Sequence, residues 1–300
     1  MRSASAQSKD VLLSSEFMAR LDQLDVMSRK VLAGKLKGER RSKRRGQSVE
    51  FADYRNYVVG DDLRFIDWNI YGRLDRLFLK LFLEEEDLAL YVVVDVSKSC
   101  DYGEPNKALY LKKVGAALGY IGLVNYNRVT ISAMADGVVA EAGPMRGRGR
   151  VAQMIDFISK LKPEGAGNLA EACKRFALSH RQKGVCIVLS DFFDKGGYEN
   201  GLRYITGPRY DLFALQILSP QEIDPPLQGD LKLRDIEDHD LAEVTITQPL
   251  LKQYKNNLNA WCAAVKDYVA RRGGAYLFSS TAIEFDTLIL HYLRERGLLG

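Results

Sequence analysis

Leu88–Ser99, LALYVVVDVSKS, opens as a continuous apolar run and stops at Asp95. Gly184–Ser190, GVCIVLS, is a second such run and is followed by Asp191; Tyr210–Leu218 is a third. Apolar runs bounded by polar residues are the pattern of strands buried on both faces. Between the first two, Asn106–Tyr126 carries Leu109, Leu111, Val114, Leu118, Ile121 and Leu123 as the apolar side of a helix. Further helices are predicted at Val151–Leu161, at Leu169–His180 with Asn168 as its cap, at Leu250–Arg271 and at Ile283–Arg296. Arg128–Met134 and Val138–Ala142 flank the turn residues Ala135-Asp136-Gly137, the pattern of an antiparallel pair. Gly229–Arg234 and Glu243–Thr247 suggest a smaller hairpin, and Ala275–Ser279 a last strand. Strands alternating with helices predict an α/β fold with a doubly wound, mostly parallel sheet.

The pattern is less regular toward the N-terminus. From Asp10 to Leu36, apolar residues fall at helical spacing, enough for one amphipathic helix or two short ones. Lys35–Gly46, KLKGERRSKRRG, is densely basic, with Glu39 its only acid. Such a run is exposed and suits phosphate, an acidic lipid surface or an acidic partner. It has no interleaved aromatic residue, so it offers bases no stacking platform, and Arg44 and Arg45 are candidates for a protein partner. The next segment sets Asp53, Arg55, Asp61, Asp62, Arg64 and Asp67 among Phe51, Tyr54, Tyr57, Phe65, Trp68 and Tyr71, around a Gly60-Asp61-Asp62 turn. One reading is a partner-binding surface carried by Asp61, Asp62 and Arg64. The favoured reading is a network of ion pairs fixing a compact loop region, since a buried charge persists only when paired. A strand at Leu77–Phe82 then leads through Glu84–Asp87 into the Leu88 run. Residues 1–76 are therefore expected to form an extension, and residues 77–300 the main domain.

Composition narrows the class. At 300 residues and 46% hydrophobic, the chain is long enough for a sizeable core. No apolar run approaches bilayer length, and MRSASAQSKD lacks the apolar core of a secretory signal, so a cytoplasmic protein is expected. Cys100, Cys173, Cys186 and Cys262 are scattered without a C-x-x-C pair, which argues against a zinc knuckle or a disulfide framework. No phosphate-cradling G-x-x-x-x-G-K-[ST] or G-x-G-x-x-G loop is present.

Candidate chemistry lies at the strand ends. Asp95, Ser97 and Ser99 are spaced by two just past a buried strand, where ligands bind open parallel sheets. One carboxylate and two hydroxyls suit a hard cation such as Mg²⁺; the plainer reading is a strand-ending turn. Asp191 ends a second buried strand and faces the same rim by topology. Together these residues resemble the metal-ion-dependent adhesion site of von Willebrand factor A domains. DVSKS matches that motif's first part in full, and LSDFFD, Leu189–Asp194, matches its third. GAGNLAEA departs from it, with Gly167 where those domains carry a threonine, leaving Asn168 or a water to fill the gap.

Read whole, the chain is similar to the bacterial family called domain of unknown function fifty-eight, a von Willebrand factor A-like group. Gly38–Arg73 (GERRSKRRGQSVEFADYRNYVVGDDLRFIDWNIYGR), Glu84–Ser99 and the ending YLFSSTAIEFDTLILHYLRER carry the resemblance. It implies a MIDAS-like Mg²⁺ site at Asp95, Ser97, Ser99 and Asp191, and a non-enzymatic, protein-binding adaptor for a MoxR-type AAA+ ATPase. Two other readings compete. A metal-assisted hydrolase would use Asp95, Asp191 and Asp194, with Glu237, Asp238, His239 and Asp240 as a second cluster; two-metal hydrolysis needs a denser set of carboxylates. A metal-free adaptor would bind its partner through the basic stretch and the Gly60-Asp61-Asp62 region. His180, His239 and His291 fall on expected helix or loop surfaces and suggest no nucleophile–base pair.

Overall fold

The computed structural model describes residues 12–26, 50–59, 61–83, 88–237, 240–295 and 297–300. The chain divides into two compact units, residues 37–87 and residues 1–36 with 88–300. The first helix, α1 (Ser15–Leu21), starts where the Ser14 hydroxyl accepts from the Phe17 N–H at 3.1 Å. It ends at Leu21 because the chain turns to meet the C-terminus: Val26 bridges antiparallel to Leu299, and Asp25 and Gly300 exchange backbone hydrogen bonds. The rest of the helix expected up to Leu36 lies outside the described residues, as does the basic run with Arg44 and Arg45.

In the smaller unit, β1 (Glu50–Asn56) pairs antiparallel with β2 (Phe78–Leu83), with a bulge between Phe51 and Asp53. Between them, α2 (Trp68–Leu74) is capped by buried Asp67, whose Oδ1 accepts from the N–H groups of Asn69 and Ile70 at 2.9 and 3.2 Å. Its other oxygen accepts the Tyr54 hydroxyl at 3.0 Å. The ion pairs expected here do form, though at the surface. Arg55 grips Asp61 through two bonds of 2.7 Å, and Arg64 closes on Asp62 at 2.6 Å. Because β2 pairs back onto β1, this unit continues to residue 87, beyond the boundary expected at residue 76, and α1 belongs to the larger unit.

The larger unit is a doubly wound α/β fold. Its strands are β3 (Ala89–Asp95), β4 (Arg128–Met134), β5 (Val138–Met145), β6 (Gly184–Ser190), β7 (Tyr210–Leu218) and β10 (Ala275–Ser280). They form a six-stranded sheet in the order β10-β7-β6-β3-β4-β5, parallel except for β5. A separate hairpin, β8 (Gly229–Arg234) with β9 (Leu241–Ile246), follows β7. Strand alternation divides the apolar side chains between two cores. On β3, Leu90, Val92 and Val94 enter one core, and Ala89, Tyr91 and Val93 the other. The first core is covered by α1, α3 (Lys107–Val124), α4 (Val151–Lys160) and residues 288–299; the second by α5 (Leu169–Ser179), α6 (Tyr198–Ile205) and α8 (Gln248–Arg271). A short helix, α7 (Pro220–Ile223), follows β7. No described helix is long and apolar enough to cross a membrane.

The helix α3 is buried on nearly every side, not along one apolar stripe. It lies so close to the sheet that a Cβ on Gly122 would come within 2.6 Å of Leu90 Cδ2 and 2.7 Å of Val129 Cγ2. Its first turn therefore stands beside the carboxyl ends of β3 and β6, which positions Lys107.

Candidate functional site

Because β3 and β6 run parallel in register, with Val94 opposite Leu189, both end at the same rim. Asp95 is the last residue of β3. Its Oδ1 accepts from the Ser97 N–H at 2.9 Å and from the Ser97 hydroxyl at 2.7 Å. The 3₁₀ turn Lys98–Cys100 folds Ser99 back, so that the two serine hydroxyls lie 2.9 Å apart. Asp95 Oδ2 accepts the Ser190 hydroxyl at 2.6 Å, joining the end of β3 to that of β6. The spacing by two thus gives a turn in which carboxylate and hydroxyls share one hydrogen-bonded cluster. This is the strand-ending turn that the spacing suggested as its plainer reading.

Asp191 lines the same cleft as Asp95, Ser97 and Ser99. Its carboxylate is nonetheless engaged. Oδ1 accepts from the Phe193 N–H at 2.9 Å, and Oδ2 accepts from Lys107 Nζ at 2.7 Å. Lys107 is fully buried and also donates to Glu222 Oε1 at 2.6 Å. Burial works against an ammonium, but the charges of Asp191 and Glu222 outweigh it and hold the Lys107 pKa above the ordinary lysine value. Burial first, and then the charge of Asp191, push the Asp95 carboxyl up, against the hydrogen bonds from Ser190 and Ser97.

Asn168 lines the cleft, and its side-chain oxygen accepts from the Glu171 N–H at 2.9 Å, capping α5 as its position before that helix predicts. Asp194 likewise serves backbone groups, accepting from Leu169 N–H at 2.5 Å and Gly196 N–H at 2.6 Å. Among the described residues, no three His, Cys, Asp or Glu side chains converge as a metal centre. The carboxylates named for the hydrolase reading, Asp95, Asp191 and Asp194, line one cleft. Of its second cluster, Asp238 and His239 lie outside the described residues. His180 sits elsewhere, hydrogen-bonded to Glu141 at 3.2 Å. Asp61, Asp62 and Arg64 belong to the smaller unit, each in a local ion pair.

What remains at the rim is an oxygen cradle of Asp95, Ser97 and Ser99. Its donor chemistry fits a hard divalent cation that keeps several waters. Asp191 fits less well as a ligand, because an internal ammonium already balances its charge. Sequence reasoning missed Lys107. The available signal was a lysine in the first turn of a helix, where the helix dipole disfavours a cation.

The model of the family described as "Protein of unknown function DUF58" matches residues 53–262. The uncharacterized protein Rv1480 of Mycobacterium tuberculosis (strain ATCC 25618 / H37Rv) is 27% identical over 290 residues, covering 94% of this chain and 91% of its own length. Among solved structures, the conserved hypothetical protein BatB from Bacteroides thetaiotaomicron aligns with a TM-score of 0.44 at 14% identity, over 70% of this chain and 98% of that one. An aerotolerance-related membrane protein from Bacteroides fragilis NCTC 9343 aligns with a TM-score of 0.42 at 12% identity, over 69% and 99%.

Proposed function

Since this chain belongs to the DUF58 family, we propose that it is a non-enzymatic protein-binding module of von Willebrand factor A type, acting in the cytoplasm with a MoxR-type AAA+ ATPase. The observation that carries the reading is the hydrogen-bonded cluster of Asp95, Ser97, Ser99 and Ser190 at the joined ends of two buried strands. A strand-end rim of this kind is where open α/β sheets take ligands. Asp95, Ser97 and Ser99 would hold Mg²⁺, which when bound supplies a positive charge able to attract a partner's Asp or Glu carboxylate. Ser190 holds Asp95 in orientation, and the Ser97 N–H fixes the turn. Lys107 pairs with Asp191 from within, which leaves Asp95 without an internal ammonium of its own.

Capture of proteins from native lysate tests this. The intact chain retains an AAA+ ATPase in Mg²⁺ and loses it in chelator, and Asp95→Ala retains none in either. Equal capture in all arms would refute the metal-bridged form.

One observation favours a second, metal-free form of the adaptor: an ammonium already stands at Asp191, and Gly167 brings no side-chain oxygen. In that form, charge reversal at Arg44 and Arg45 weakens capture and chelation does not.

A further inference from the structure

Gly167 lines the cleft without a side chain, yet the space beside it is filled. The connection between β8 and β9 brings Glu237 to this point from 70 residues away, where its Oε2 accepts from the Gly167 N–H at 3.1 Å. A Cβ built on Gly167 would lie 3.4 Å from Glu237 Oε1 and 3.7 Å from Ser97 Cβ. The carboxylate therefore occupies the ground that a side chain at position 167 would share, next to the serine turn. Its placement is braced. The Glu237 N–H donates to Asp235 Oδ1 at 2.8 Å, and Asp235 pairs with Lys195 at 3.1 Å on the segment following β6. Glu237 lines the same cleft as Asp95, Ser97 and Ser99.

We infer that Glu237 is the oxygen donor that Gly167 does not provide, completing with Asp95, Ser97 and Ser99 a cradle for a hard divalent cation. The assignment rests on the cation reading of the rim. A carboxylate adds charge that a hydroxyl lacks, and hard divalent cations favour anionic oxygen.

Mn²⁺ is the probe, titrated into the full chain with the free ion followed by electron paramagnetic resonance. Asp95→Asn abolishes binding. Glu237→Gln weakens it by at least about tenfold, the lower end of what loss even of an outer-sphere partner costs. Adding Gly167→Thr to Glu237→Gln restores part of the affinity, because a hydroxyl then enters the vacated space; thermal melts confirm that each variant is folded. Wild-type affinity in Glu237→Gln, with binding still lost in Asp95→Asn, overturns the assignment and leaves the cation reading standing. No Mn²⁺ bound by the wild-type chain at millimolar concentration overturns both.

Discussion

Lys107 is the residue on which the electrostatics of the rim turn. Its ammonium is fully buried and bonded to carboxylates from two other segments, Asp191 after β6 and Glu222 in α7. Breaking such a pair strands a charge in low dielectric, whereas removing Lys107 together with the more deeply buried Asp191 leaves only the Glu222 carboxylate, which is partly exposed. Lys107→Met is therefore expected to cost about 3–5 kcal/mol in denaturant unfolding. Adding Asp191→Asn to it should recover much of that loss, as coupled neighbours do. A loss for the single change no larger than the roughly 1 kcal/mol of a surface pair would show that the ammonium is not the balancing charge. At this scale the sequence was half legible. Asp95, Ser97 and Ser99 stand within one turn of each other, so their spacing displays them. Lys107 and Glu237 meet their partners across 84 and 70 residues, and no local pattern announces that.

Among the elements, the end of α5 is tied to edge strand β5 by His180 and Glu141, with the Ser132 hydroxyl donating to the second Glu141 oxygen at 2.8 Å. The hydrogen bond to Glu141 raises the His180 pKa above its ordinary 6.5, and the bond to His180 lowers Glu141 below its ordinary 4.5. The signs follow from linkage. The histidine's contribution is complete below pH 6.5 and fades as pH rises through its raised folded value. The glutamate's is complete above pH 4.5 and fades as pH falls through its lowered folded value. The difference in melting temperature between wild type and His180→Gln should thus be largest between pH 4.5 and 6.5 and shrink on the alkaline side. A difference that grows above neutrality would contradict the pairing. Elements were most legible where burial is two-sided: the runs of β6 and β7 give their strands to the residue, because they are mostly apolar and polar residues bound them. The helix α6 escaped notice, since Tyr198, Leu202 and Ile205 mark its buried face over only 8 residues, too short a window for periodicity. Helical spacing continues past Leu21, but the first helix stops there and Val26 pairs with Leu299.

For the molecule as a whole, the sequence put the division between units at residue 76, because it could not show that β2 pairs backward onto β1. Both buried cores of the larger unit are built, among the described residues, entirely from residues outside 37–87. A variant in which a long Gly/Ser linker replaces residues 37–87 is therefore expected to keep its sheet and unfold in one cooperative transition. The same variant separates the two adaptor readings. The oxygen cradle lies in the larger unit, while Arg44, Arg45, Asp61, Asp62 and Arg64 all fall within the excised stretch. If the rim captures the partner, the excised protein still retains it in Mg²⁺ and releases it to chelator. If the basic run and the Gly60-Asp61-Asp62 region do so, capture disappears with them although the sheet remains folded, and circular dichroism and the melting curve establish that fold independently of binding.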